Sequence, residues 1–191
     1  MATTIPAAAP AVAAAVTTPQ DRAVLRDGSA VLIRPLATGD VKAIITWFEG
    51  LGPQARYERF LASIARLNDR TLAQLAQVDH QEHEALIAVT AEGTTVGLAQ
   101  YIQLPQTGTA ELAVAVADQW QGRGLGSLLL HKIAARARAA GIRWLTVECL
   151  ASNTAIARLL RRLGPVLITP PAFGVIELRI DLGQASTTAA R

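Results

Sequence analysis

The chain has 191 residues, 16 of them arginine and two lysine, and a formal net charge of +3. This length fits one domain with flanking tails, and 51% apolar residues with 4% aromatics predict a core of Val, Leu, Ile and Ala. The mild charge and the lack of long runs of like charge exclude a dedicated nucleic-acid-binding arm, while the basic balance favours an anionic ligand such as a nucleotide-bearing cofactor.

The two ends of the chain and its single cysteine bear on where the protein works. Residues 1–20 are rich in Ala, Pro and Thr and have no basic segment before the apolar stretch. They predict a flexible tail and not a signal peptide or a membrane span. Residues 184–191 predict a second tail, which leaves a domain at residues 21–183. Cys149 allows neither a disulfide within the chain nor a cysteine-based zinc cluster, which suits a cytoplasmic protein.

The sequence of the first half of the domain predicts one strand followed by three helices. The β-rich run Ala30–Leu36 predicts the strand. The first helix is predicted to begin at the N-terminal signals Thr38 and Asp40 and to run to Leu51. The second is predicted to follow the break Gly52-Pro53 and to run from Gln54 to Arg66, and the third to follow the capping residue Asn68 and to run from Asp69 to Val78.

The second half of the domain alternates strands with two helices. After a polar loop at His80–Glu84, three strands separated by turns predict an antiparallel meander. These strands are Ala85–Thr90, Thr95–Leu104 and Thr109–Ala117. The later elements are a long helix Gly124–Ala140, a strand Arg143–Leu150 that pairs in parallel, a helix from Ser152-Asn153 to Leu163, and closing strands Val166–Thr169 and Gly174–Leu182. This order predicts a mixed α/β domain with about seven strands.

A glycine-rich turn, Gln121–Ser127, joins the strand Thr109–Ala117 to the long helix. The first N–H groups of a helix have no intrahelical partner, and the helix dipole adds positive potential there. Glycines allow a phosphate to approach the backbone closely, and Arg123 can add a charge-assisted contact. Strand, turn and helix together therefore predict an anion site.

The residues of the turn restrict which phosphate ligand it can bind. It lacks the Gly-Lys-Ser/Thr ending of a nucleoside triphosphate loop. It also follows three predicted antiparallel strands, whereas a dinucleotide-binding turn follows the first strand of a βαβ unit. A diphosphate that approaches end-on, as in coenzyme A, is the remaining interpretation.

The spacing Gln121-x-x-Gly124-x-Gly126 resembles the Q/R-x-x-G-x-G/A signature of the GNAT family of N-acetyltransferases. The predicted element order from Ala30 to Leu182 also resembles the fold of that family. The resemblance implies an α/β GNAT fold in which the meander and a parallel strand pair surround a cofactor cleft, with helices on either side. It further implies acetyl-CoA as the co-substrate, no metal, and transfer of the acetyl group to an amine.

A closer similarity is to the acetyltransferase domain of bacterial Pat-type protein lysine acetyltransferases. The segments that support it are Ile33–Leu36, Leu51–Phe60 and Glu111–Gly126. The second of these segments is similar to the S-P-E-S-R-Y-x-R-F segment of that family. This similarity implies a protein lysine side chain as the acceptor.

The family resemblance also implies which residues contact the cofactor. In GNAT folds the strands equivalent to Thr109–Ala117 and Arg143–Leu150 splay apart, and pantetheine lies along the first of them like an added strand. Val114 and Val116 are expected to bond pantetheine, and a backbone N–H near Val114 or Ala115 is expected to polarise the thioester carbonyl. The other expected cofactor contacts are Gln121, Gly122, Arg123, Gly124, Leu125, Gly126, Ser127 and Asn153.

Carboxylates near the predicted cleft are the candidates for a general base. Glu111 lies early in its strand, where Pat-like domains place a catalytic glutamate, so it is the expected base, acting directly or through water. Glu148 lies on the neighbouring strand and could face the cleft or accept from an arginine. Asp118 is expected to have a structural role in the turn.

Asn153 and Leu160 occupy two further positions of the family pattern. Asn153 falls where many GNAT proteins have an asparagine that contacts the cofactor, and it equally suits the N-cap of the following helix. Many members have a tyrosine seven residues later as general acid for the thiolate, and here that residue is Leu160. The thiolate is then expected to leave unassisted or to be protonated by water.

Three other features have simpler interpretations. His80 and His83, with two glutamates nearby, are expected to lie in a solvated loop and not to bind a metal, because a third ligand with suitable spacing is not evident. Cys149 is expected to be a buried strand residue. Tyr57 is expected either to line the acceptor side or to pack a helix against the sheet.

The sequence leaves several function classes open. A protein lysine is the expected acceptor, and a small-molecule amine is the alternative within the enzyme class. A non-catalytic acyl-CoA sensor would keep the glycine-rich turn but need no base, and Glu111 argues against it. Neither nucleic acid nor a membrane is an expected partner, and the protein is expected to be a monomer or a homodimer.

Overall fold

The sheet contains one strand more than the sequence predicts. The computed structural model describes residues 21–105 and 108–183, and within these ranges eight strands form one mixed sheet. The added strand is β1, Asp21–Val24, which pairs antiparallel with β2, Ala30–Pro35. The two predicted tails, residues 1–20 and 184–191, lie outside the described residues.

The other elements follow the predicted order. The remaining strands are β3 His83–Val89, β4 Thr95–Gln103, β5 Thr109–Val116, β6 Trp144–Leu150, β7 Val166–Ile168 and β8 Val175–Asp181. The helices are α1 Val41–Glu49, α2 Pro53–Phe60, α3 Asp69–Ala76, α4 Leu125–Ala139 and α5 Thr154–Leu160. The strand order is β1-β2-β3-β4-β5-β6-β8-β7, with β5 and β6 parallel, which confirms the predicted mixed sheet. In the described part of the chain, none of the helices has the length and apolar character needed to cross a membrane.

The second helix is shorter than predicted. The sequence predicts a helix to Arg66, but α2 ends at Phe60. Leu61 adopts a left-handed conformation with a φ of 50°, which stops the helix. Because the left-handed residue is a leucine and not a glycine, the sequence gives no sign of this helix end.

The segment expected as a solvated loop at His80–Glu84 is partly buried, so that expectation is wrong. His83 and Glu84 begin β3 and are 7% and 5% exposed. The Glu84 carboxylate accepts from Arg136 of α4 at 2.8 Å and is hydrogen-bonded to His80 Nδ1 at 2.9 Å. These partners satisfy a buried carboxylate and tie β3 to α4.

Helices cover both faces of the sheet. On one face α4 buries Leu125, Leu129 and Ile133, spaced four residues apart, at 1% exposure or less. On the other face α1 buries Trp47, which is 0% exposed. Each fully buried aliphatic side chain stabilises the fold by roughly 1.5–3 kcal/mol. The central strands are therefore held between two packed layers.

The parallel strands β5 and β6 separate after a short paired segment. Residues Thr109–Glu111 pair with Trp144–Thr146, and no further pair joins the two strands over their described length. Beyond Glu111, β5 follows β4 as far as Val116, whereas β6 follows β8 as far as Leu150. The sheet therefore opens towards the carboxyl ends of both strands.

Candidate active site

A cleft of about 560 Å³ occupies the gap between β5 and β6. Its walls are formed by both strands, by α2, by the turn Gln121–Ser127 and by residues of α5. Its lining includes four arginines and three glutamates, so it offers both positive and negative groups to a ligand. This volume and this small set of polar groups are typical of a site for a cofactor or another small molecule.

The edge of β5 that faces the cleft presents backbone groups to it. The N–H of Ala117 donates to the carbonyl of Val96, next to β4, at 2.9 Å. Backbone groups alternate in direction along a strand, and the β4–β5 register is continuous. The N–H and C=O groups of Val114 and Val116 therefore point away from β4, into the cleft. An extended ligand can bond there as an added strand does.

Ala115 differs from its two neighbours in this respect. By the same alternation its backbone groups point to β4, and its carbonyl accepts from the buried Trp47 Nε1 at 3.1 Å. The carbonyl of Val116 accepts from Gln121 Nε2 at 3.1 Å. Of the two N–H groups expected near a thioester, that of Val114 therefore faces the cleft and that of Ala115 does not.

Positive backbone φ angles shape the glycine-rich turn. Gly122 and Gly124 have φ angles of 73° and 95°, in the left-handed region that favours glycine. Gly124 is the N-cap of α4 and has no side chain that could cap the helix. The amides of Leu125, Gly126 and Ser127 have no intrahelical partner, and they point out of the positive end of the helix. This is the geometry of an anion site.

Three side chains of the turn make contacts within the fold. Gln121 Nε2 also donates to Asp118 Oδ1 at 3.3 Å, so Asp118 has the structural role in the turn that the sequence predicts. Arg123 forms an ion pair with Asp27 at 2.8 Å. Leu125 is a core residue that is 1% exposed. Neither Arg123 nor Leu125 is among the described residues that line the cleft.

Sequence reasoning missed all four arginines that line the cleft, and three of them lie outside α2. Arg26 comes from the β1–β2 hairpin and lies against Gly124, where an added Cβ would be 3.4 Å from its Nε. Arg158 and Arg162 belong to α5 and the residues after it. Their spacing of four residues on a predicted helix was an available signal. Arg26 gives no such signal, because its position depends on the pairing of β1 with β2.

The wall beneath α2 is polar. We call it the polar wall, and it consists of Glu58 and Arg59 of α2, Glu111 of β5 and Glu148 of β6. Leu112 and Val147 belong to the core beneath α4, so strand alternation turns Glu111 and Glu148 to the opposite face, where α2 contacts both strands. Both of these glutamates are exposed. The polar wall thus joins side chains from three elements that are distant in the sequence.

Asn153 connects two walls of the cleft. Its Oδ1 accepts from the N–H of Ile156 at 3.3 Å, which confirms the predicted N-cap of α5. Its Nδ2 donates to Glu58 Oε2 at 3.1 Å, and the other oxygen of that carboxylate accepts from Gln54 at 2.8 Å. Asn153 also lines the cleft, as does Cys149, the buried strand residue that the sequence predicts. Burial raises the pKa of the Cys149 thiol, and the charge of Glu58 adds to this increase.

The described residues that line the cleft include no tyrosine. Leu160, which takes the place of a tyrosine in the family pattern, is 0% exposed and lies in the core. The two tyrosines of the chain lie elsewhere, because Tyr57 is 42% exposed outside the cleft and Tyr101 is 2% exposed in the core. The position of the family's tyrosine is therefore taken by a core leucine, and neither tyrosine lines the cleft.

The fold and the cleft together define a coenzyme A-dependent acyltransferase. The model of the acetyltransferase (GNAT) family matches residues 45–164, a range that contains the glycine-rich turn and all four residues of the polar wall. The chain belongs to this family, and it is an acetyl-CoA-dependent acetyltransferase. The residues present fit that co-substrate, because the turn offers helix amides to a diphosphate and β5 offers an edge to an extended arm. Over residues 21–105 and 108–183 there is no group of three side chains that could hold a metal ion.

Known proteins similar to this chain agree with this membership. An acetyltransferase of Pseudomonas aeruginosa is 34% identical over 143 residues, which cover 73% of this chain and 77% of the relative. The acetyltransferase Pat of Mycolicibacterium smegmatis is 28% identical over 165 residues, 85% of this chain and 49% of the relative, so the chain spans about half the length of that protein. The crystal structure of the GNAT domain of S. lividans PAT is 28% identical, with a TM-score of 0.78 over 85% of this chain and 97% of that domain. The predicted closeness to Pat-type domains is confirmed.

Proposed function

We propose that the enzyme transfers the acetyl group to the ε-amine of lysine side chains on proteins. The similarity to Pat-type domains supports a lysine acceptor, and the carboxylates of the polar wall support an amine that enters the cleft as a cation. The observation that carries the proposal is Glu111, an exposed carboxylate at the point where β5 and β6 part. A carboxylate there can meet an amine beside the edge of β5, where the cofactor arm is expected.

In this proposal the cofactor is held mainly by backbone groups. Gly122 and Gly124 allow the diphosphate to approach the turn, and the amides of Leu125, Gly126 and Ser127 bind it. Val114 accepts from the pantetheine arm through its C=O group, and its N–H remains free for the thioester carbonyl. Further contacts come from the backbone of Gln121, Arg123 and Val116, from the side chain of Asn153, and from the arginines Arg26, Arg158 and Arg162.

Glu111 acts as the general base. A lysine amine has a usual pKa of about 10.4, so it enters protonated at neutral pH and must lose a proton before its lone pair can attack. Acetyl-CoA supplies the thioester, whose carbonyl carbon forms the new C–N bond while the C–S bond breaks. The N–H of Val114 faces the cleft and polarises that carbonyl. The leaving thiolate takes its proton from water, since the described lining contains no tyrosine.

A small-molecule amine is the second candidate acceptor. Glu58, Glu111 and Glu148 give the cleft three carboxylates, and such a lining suits a compact cationic amine. The two candidates use the same cofactor and the same base. They differ in what the acceptor carries beyond its amine.

Mass spectrometry of acceptors incubated with the enzyme and acetyl-CoA tests the proposal. We expect acetyl groups on lysine ε-amines of added proteins, and no such signal when those lysines are first dimethylated. Transfer confined to polyamines or free amino acids would select the second candidate. Failure to acetylate any amine, by an enzyme that binds acetyl-CoA in calorimetry, would contradict both.

A further inference from the structure

Two arginines of the α2 region, three residues apart, have different surroundings. Arg56 donates to the carbonyl of Ala65 at 3.0 Å and to that of Glu49 at 3.5 Å. Its guanidinium also lies 4.3 Å from the ring centre of Phe48, and it does not line the cleft. Arg56 is therefore used within the fold, where it ties α2 to the end of α1 and to the segment that follows α2.

Arg59 lines the cleft and lacks comparable partners. Its guanidinium lies 4.9 Å from the ring centre of Phe60, and its Nε, like that of Arg56, is buried without a hydrogen-bond partner among the described residues. No described carboxylate forms an ion pair with it, whereas the partly buried Arg34 is paired with Asp40. Burial lowers the pKa of Arg59 to about 10, and the charge of Glu111 opposes this decrease. The side chain is thus a cation at neutral pH.

A guanidinium that has lost much of its water and forms no ion pair is costly. The cost falls when an anion enters the cleft and accepts hydrogen bonds from it, and a planar guanidinium binds a carboxylate through two parallel bonds. Arg59 is therefore poised to bind an anionic group of a ligand.

The position of Arg59 indicates which ligand carries that group. The phosphates of the cofactor are expected at the glycine-rich turn, at the carboxyl end of β5. Arg59 instead belongs to the polar wall, within electrostatic reach of Glu111, where the acceptor amine is expected. An anion bound by Arg59 would thus belong to the acceptor and lie close to its amine.

We propose that Arg59 binds a carboxylate that the acceptor carries beside its reactive amine, and that it thereby selects acceptors. This inference rests on the proposed function and makes its substrate class narrower. The carboxylate can come from an aspartate or glutamate next to the target lysine, or from a free amino acid. Glu111 then takes the proton of the amine while Arg59 holds the neighbouring carboxylate, so that the two ends of a zwitterionic acceptor are oriented at once.

Matched acceptors test this selection. One pair consists of peptides with a single lysine followed by aspartate or by asparagine, and the second consists of a free amino acid and its carboxamide. We expect kcat/KM of the wild type to favour the carboxylate member by about 10- to 100-fold, the contribution of a hydrogen bond to a charged group. In Arg59→Gln that preference should fall to about one, since a glutamine carries no charge. Comparing the two enzymes cancels differences in the intrinsic reactivity of the amines.

Arg56→Gln is the control, because it removes a stacked arginine from the same region outside the cleft. It should lower the melting temperature and keep the preference. A preference in the peptide pair supports a protein acceptor, and a preference confined to the amino-acid pair supports a small one.

Equal rates for both members in the wild type would overturn the inference and leave the proposed lysine transfer standing. A loss in Arg59→Gln that is the same for both members would also overturn it, since Arg59 would then act on something that all acceptors share. Absence of transfer to any amine would instead contradict the proposed function, and this inference would fail with it.

Discussion

The glycine-rich turn and the polar wall form two sides of one cleft but are built in different ways. The turn is a single run, Gln121–Ser127, and it presents the backbone amides at the start of α4. The polar wall takes its four side chains from α2, β5 and β6. Backbone amides suit a ligand that every family member shares, whereas side chains can be exchanged one at a time. Under the proposed function, cofactor affinity and acceptor choice therefore depend on separate parts of this enzyme.

The largest effect should come from the polar wall. Glu111→Gln removes the proposed base, so kcat should fall by about 10²- to 10⁴-fold, the usual contribution of general base catalysis. Calorimetric affinity for acetyl-CoA should change little, because the turn is untouched. Glu148→Gln is the matched control on the adjacent strand and should lose much less activity. Equal losses in the two variants would show that the wall acts only through its total charge.

A charge placed in the turn should weaken acetyl-CoA binding and leave the proposed base in place. Gly126→Asp puts a carboxylate where the diphosphate is expected, and acetyl-CoA affinity should fall by about 100-fold, or roughly 3 kcal/mol. An added Cβ at Gly126 would make ordinary contacts of 3.7 Å, and an acid in the first helical turn is favourable, so the fold should survive. Ala135→Asp places the same charge on an exposed part of α4 as a control. Unchanged affinity in Gly126→Asp would refute the anion site.

The arginines of α5 should have a smaller effect. The double variant Arg158→Gln and Arg162→Gln should weaken acetyl-CoA binding by about tenfold at low salt and flatten its salt dependence, because exposed charges are screened. Arg161→Gln, an exposed neighbour that does not line the cleft, is the control. Titrations at several salt concentrations would measure both quantities. An effect of the same size in the control would assign it to net charge.

The smallest effect should come from Asn153, which joins the two sides. Asn153→Ala removes the cap of α5 and the bond to Glu58, so the free energy of unfolding should fall by about 1 kcal/mol. The KM for acetyl-CoA should rise by a small factor. Asn68→Ala removes a similar cap from α3, away from the cleft, and should alter stability without altering KM. Denaturant unfolding and initial rates would show whether the two effects separate.

The same contrast explains what the sequence could predict of the site. The glycine-rich turn is contiguous, so its glycine spacing and its place between a strand and a helix could be predicted from the sequence. Glu111 was predicted through the family resemblance, and it lines the cleft. Glu58 and Arg59 were missed, because their roles depend on α2 lying over the gap between β5 and β6.

The fold was predictable to a similar extent. Hydrophobic periodicity and turn residues gave the order of the elements from β2 to β8. Strand β1 was missed because its four residues are mostly exposed and become a strand by pairing with β2. The burial of Glu84 was missed because its partner Arg136 lies 52 residues further along the chain.

The early parting of β5 and β6 has a thermodynamic consequence. Three residue pairs join the two halves of the sheet directly. A ligand that lies along β5 therefore supplies backbone hydrogen bonds that β6 does not provide. Its binding energy then also opposes unfolding, through mass action on the folded state. The resistance of this enzyme to heat should accordingly rise with the acetyl-CoA concentration around it.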